Sequence, residues 1–69
     1  MNVQSRSPEE RDYVDGLVRE FAYRGFTTMP LTLWQMRWCA SHVSADVAYA
    51  IGCDVAAGVP FADCMAFAS

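Results

Sequence analysis

Residues 44–58 read SADVAYAIGCDVAAG, and the periodicity of this stretch decides the fold. At helical spacing Ala45, Ala48, Gly52 and Ala56 fall on one stripe, and Val47, Ala50, Ile51 and Val55 cover most of the remaining surface. That pattern predicts a helix apolar nearly all round, and such a helix is expected to be buried on several sides. Ser44 is placed to cap its start, and Asp46 puts a carboxylate at the positive end of the helix dipole. Gly58 can take the left-handed conformation that ends a helix. Gly52 in the interior costs about 1 kcal/mol relative to alanine, so close approach of another helix is expected there as compensation. Asp46, Asp54 and Asp63 leave no uncharged run near the roughly 20 residues that a bilayer span needs, and no membrane association is expected.

Working outward toward the N-terminus, residues 33–43 form a second helical pattern, beginning at about Pro30 or Leu33 and ending at His42 or Val43. Thr28 and Thr32 are both placed to cap it. Leu33, Met36, Ala40 and Val43 make one stripe, and Trp34 and Trp38, four apart, make a ridge beside it with Arg37 adjacent. Ser44 as a cap argues for a break between the two helices, while nothing in residues 41–44 forbids one continuous helix from about Leu33 to Ala57. Residues 26–32, FTTMPLT, read as a connector folded back on the core. Before it, Ser7, Pro8, Glu9 and Glu10 give a capping hydroxyl, a proline at the first helical position and acids in the first turn. The helix they start carries Tyr13, Val14, Leu17, Val18, Phe21 and Ala22 as its apolar stripe and closes at Gly25. On its outer face Arg11, Asp15 and Arg19 alternate in sign, and Glu20 precedes Arg24 by four. Residues 1–6 are polar and are expected to be a loosely ordered tail, leaving 7–69 as a single helical domain.

Toward the C-terminus, Pro60 opens a last helix to Ala68, with Phe61, Cys64, Met65 and Phe67 as its expected apolar contacts. With no strand signal, repeat or linker, the fold class is all-α: a compact bundle of three to four short helices around the Ala/Gly-rich central one.

At 69 residues the chain sits near the lower limit for a core that holds without staples, yet it is 54% hydrophobic with nine aromatic residues. Part of that apolar surface is expected to be covered by another chain, either a foreign partner or a second copy in a homo-oligomer. All five basic residues are arginines at or before Arg37, and residues 38–69 carry only Asp46, Asp54 and Asp63. The net charge of −3 argues against nucleic acid as a direct partner. Cys39, Cys53 and Cys64 cannot all pair within the chain and none lies in a metal or redox spacing, so free thiols in a reducing cytoplasm are expected. The N-terminal residues lack the apolar core of a signal peptide, which agrees with a cytoplasmic location.

Chemistry-bearing combinations are few. Cys39, His42 and Asp46 stand at i, i+3 and i+7, formally a nucleophile, a base and an orienting acid. Side chains stacked on one helix have no facing wall to exclude water, and the three lack a fourth ligand for zinc, so neither enzyme activity nor a metal or cofactor is expected. A helix-turn-helix reading of residues 39–51 fails on the second helix, 45–57, which has no Arg, Lys, Asn or Gln for base edges or phosphates.

What remains is a protein-binding module that blocks or modulates a host protein or complex. Trp34, Trp38 and Arg37 have the composition of an interface hot spot. If both indoles instead fill the core, Tyr23, Phe26 and Tyr49 are the better contact residues. In size and style, small phage and mobile-element inhibitors of host defence, of the anti-CRISPR kind, are the nearest analogy. A self-assembling structural subunit is the alternative, and a DNA-binding regulator comes third.

Overall fold

In a computed structural model the described residues, 8–68, form four helices and no strand. They are α1 (Pro8–Tyr23), α2 (Leu33–His42), α3 (Ala45–Ala56) and α4 (Phe61–Ala68). The expected disordered tail, residues 1–6, and the capping role of Ser7 lie outside the described residues. The all-α bundle is the observed fold, and α3 packs against each of the other three helices.

Local chemistry accounts for the helix ends. Thr32, of the two candidate caps, opens α2 through a full capping box. Its hydroxyl accepts from the Gln35 amide at 3.1 Å, while the Gln35 side chain accepts from the Thr32 amide at 2.8 Å. Ser44 caps α3 by accepting from the Val47 amide at 3.3 Å. The chain therefore breaks between α2 and α3: Val43 is extended, at φ −139° and ψ 164°, and Ser44 at −73° and 164°. The two-residue corner is held from outside by α1, whose Tyr13 hydroxyl donates to the carbonyls of Val43 at 2.9 Å and Ser44 at 3.1 Å.

The helices that close on glycine do so alike. Gly25 (φ 98°) and Gly58 (φ 112°) take the left-handed conformation. After α1 the amides of Gly25 and Phe26 donate to Ala22 and Phe21, and after α3 those of Gly58 and Val59 donate to Val55 and Asp54. Both are Schellman closures, in which otherwise orphaned carbonyls of the last turn find donors. The apolar contact that accompanies this motif is present at α1, where Phe26 meets Phe21 edge-on at 5.3 Å.

Leu17, Phe21, Leu31, Met36, Cys39, Ala48, Ile51, Phe61 and Cys64 form the core. At its centre the close approach expected at Gly52 is present, made by a ring in place of a helix backbone. A Cβ built on Gly52 would overlap Phe21, lying 2.7 Å from its Cε1. Phe21 is 0% exposed and stacks at 5.0 Å on Tyr49, one turn before Gly52. The missing side chain is thus the space in which a fully buried core phenylalanine sits.

Three expectations need correction. Helix α3 is not buried on several sides: Ala48, Ile51 and Gly52 face the core, whereas Ala45, Val47, Ala50 and Ala56 are exposed. Three helices of this length cover one side of a fourth and leave the opposite side open. Phe67 is not an apolar contact of α4 but stands 94% exposed, while Phe61 and Cys64 of the same helix are buried. Leu33, placed on the apolar stripe of α2, is 51% exposed: the core face of α2 is formed by Met36 and Cys39, and Leu31, just before the helix, is buried in its place.

Candidate functional site

The ridge of α2 is built on the helix face that meets the start of α4. Phe61, the first residue of α4, inserts its ring edge-on between the two indoles, 6.0 Å from Trp34 and 5.8 Å from Trp38. One turn further along α2, the His42 ring stacks flat on Trp38 at 4.1 Å and 8°. Its Nδ1–H is directed at the Trp38 carbonyl, 2.8 Å away, because a carbonyl oxygen can only accept. Trp34, Phe61, Trp38 and His42 form one continuous row of rings contributed by two helices.

The members of the row differ in exposure. Phe61 is buried and Trp38 is partly buried against the core, but Trp34 is 60% exposed, with Leu33 beside it. The two tryptophans therefore divide the roles that the sequence left as alternatives: Trp38 braces and Trp34 presents. Arg37 is partly buried and lines a cleft on the α1 side of α2, together with Glu10, Arg11 and Asp15. It is directed away from the row of rings.

Tyr49 and Phe26, the other candidates, belong to a second aromatic cluster around Phe21. Arg24 lies over the Tyr49 ring at 5.0 Å, donates to its hydroxyl at 3.3 Å and pairs with Glu20 at 2.9 Å. Burial and a hydrogen bond with Cys53 push the Tyr49 hydroxyl above its ordinary pKa, against the opposing pull of Arg24. Tyr23 stands apart at the end of α1, 86% exposed.

Cys39, His42 and Asp46 are not brought together. Cys39 is fully buried, and burial, followed by the nearby Cys64, pushes its thiol up, away from the nucleophilic thiolate. His42 is exposed and engaged with Trp38, and Asp46 lies beyond the corner, lining a hollow between α1 and α3. Among the described residues no three His, Cys, Asp or Glu side chains are grouped to hold a metal ion, and no helix is long and apolar enough to cross a membrane.

A feature that sequence reasoning missed lies between α3 and α4. There Val43, Val47, Ala50, Ile51, Cys64 and Phe67 line a groove of about 560 Å³, with Asp54 and His42 also on its wall. The signal in the sequence is a helix with more apolar positions than three short neighbours can cover, a pattern that periodicity alone does not distinguish from burial. Comparison with known proteins finds no match to this chain among family models, curated sequences or solved structures.

Proposed function

We propose that this chain is a protein-binding module that blocks or modulates a partner protein through the aromatic row of α2 and α4. The observation that carries this reading is Trp34: a large amphipathic side chain, 60% exposed, held against Phe61 and backed by Trp38. An exposed indole standing on a fixed ring loses little conformational freedom when it is covered, and that is what makes a few residues dominate an interface. Leu33 extends the apolar surface on one side and His42 on the other. The setting that suits a free-thiol domain of this size is the cytoplasm, and by analogy alone an inhibitor of host machinery carried by a phage or mobile element.

The test is affinity capture from nuclease-treated lysate of the natural host, followed by titration of the purified partner against Trp34→Ala. At a hot spot this truncation costs about 2 kcal/mol or more, which is about 30-fold in Kd. Helicity by circular dichroism should be retained. Trp38→Ala is a poorer probe because Trp38 packs on the core and its loss mixes binding with stability. A partner held equally well by Trp34→Ala, or recovery of the chain's own copies alone, would refute the proposal.

A further inference from the structure

We propose that the groove between α3 and α4 receives an amphipathic helix of the partner protein, one that carries arginine or lysine beside its apolar stripe. This rests on the reading of the chain as a protein-binding module and states the chemistry of what it binds. The groove is apolar over most of its length, and two of its exposed members stand out from it: Val47 on α3, 43% exposed, and Phe67 on α4, 94% exposed. An apolar groove walled by two helices is the form in which an amphipathic helix is taken up, through side chains at i, i+3 or i+4, and i+7.

Charge decides which helix. Asp54 lies on the groove wall, and no lysine or arginine occurs after Arg37. Asp63 stands in the first turn of α4. Burial, and then Asp54 and Asp63, push up the Cys64 thiol on the groove floor. A second copy docking groove to groove would bring the Asp54 carboxylates of both copies into one interface with no lysine or arginine on either groove wall to pair with them as water leaves, and that opposes association. A basic flank on a foreign helix instead pairs with them. His42 lines the groove and also ends the aromatic row, so a helix lying here continues the surface that Trp34 begins.

The probe is a displayed library of random 16-residue peptides, selected against the immobilised full-length chain. Enriched peptides are then titrated by fluorescence anisotropy against the parent, Val47→Glu, Asp54→Lys and Arg19→Ala. The expected result is a shared apolar stripe at helical spacing flanked by Arg or Lys. Binding should weaken at least tenfold in Val47→Glu and in Asp54→Lys, weaken with added salt, and change less than threefold in Arg19→Ala, on the exposed outer face of α1. Failure to enrich any peptide, enriched peptides that are acidic or lack a helical stripe, or binding by either groove variant equal to that of the parent would overturn the proposal. So would a dimer in sedimentation that Val47→Glu dissolves, since a second copy would then occupy the groove. The two readings fail separately. Lysate capture that depends on Trp34 but not on Val47 or Asp54 keeps the binding module and removes the groove, and a chain that captures nothing removes both.

Discussion

Replacing Gly52 with alanine should destabilise this protein, against the ordinary preference of helices. In an exposed helix interior the change from glycine to alanine stabilises by about 1 kcal/mol. Here the new Cβ would lie 2.7 Å from Phe21 Cε1 and 3.2 Å from Cε2. Restoring ordinary contacts of about 3.5–4.0 Å needs a ring shift of about 1 Å. The ring has nowhere to go: it is fully buried, stacked on Tyr49 at 5.0 Å and met edge-on by Phe26 at 5.3 Å. Overpacking of this kind costs about 1–3 kcal/mol and sometimes more. A value near the top of that range, less the propensity gain, leaves a net loss of about 2 kcal/mol. For a domain of this length each kcal/mol moves the melting temperature by about 4–8 °C, so Gly52→Ala should melt about 8–16 °C below the parent by circular dichroism. Gly16→Ala is the internal control. A Cβ there meets nothing within 4 Å, so the same substitution on α1 should raise the melting temperature by a few degrees. Combining Gly52→Ala with Phe21→Leu should recover at least about 1 kcal/mol relative to the sum of the single changes. A Gly52→Ala variant that melts at or above the parent would refute the packing described around Phe21.

Alkaline pH should loosen the corner between α2 and α3. Burial, then the neighbouring Cys39, pushes the Tyr13 hydroxyl from 10.0 up to about 12, so its neutral form is favoured by folding. That contribution is whole below pH 10 and is lost as pH rises through about 12. Two units correspond to about 2.7 kcal/mol, reduced to about 1 kcal/mol because the side chain is only partly buried. Urea unfolding between pH 9 and 12 should show the loss in the parent and a much smaller one in Tyr13→Phe, and parallel curves would contradict it. Thr32→Ala removes one half of the α2 capping box and should cost about 1 kcal/mol in urea unfolding, with no loss expected from Thr28→Ala. Among the three free thiols, Cys53 is partly exposed and should react first with a disulfide reagent. Cys39, fully buried and with a raised pKa, should react only as the chain opens, and Cys64, on the groove floor with its pKa also raised, should react between the two; labelling of Cys39 as fast as Cys53 would contradict the core.

Features encoded within one turn of helix were legible from sequence. Ser44, Gly25 and Gly58 signal their own roles because a cap or a left-handed residue is selected by its own backbone conformation. The break at 43–44 needed the structure, since the Ser44 cap competes with unbroken helical periodicity on either side. What closes the corner is Tyr13, 30 residues from Val43, and no local pattern announces it. The tryptophans illustrate the same limit. A ten-residue helix with apolar residues on most of its surface does not reveal which face will be covered, and that was decided by where Phe61 came to rest. The apolar excess was legible, but its position was not: the last short helix leaves the outer side of α3 open, and Phe67 follows it into solvent.

The wedge of Phe61 between the two indoles has a thermodynamic consequence. Helix α4 supplies a ring to the aromatic row and a wall to the groove, so neither surface exists while that helix is detached. An eight-residue helix held by two buried side chains should open at a lower free energy than the whole domain. Any molecule that needs either surface intact then binds only the closed form. At 100 times its Kd it would shift that opening by about 2.7 kcal/mol, slowing amide exchange along 61–68 by about 100-fold. Two molecules at the two surfaces would each favour the other without touching, because both draw on the same closing equilibrium.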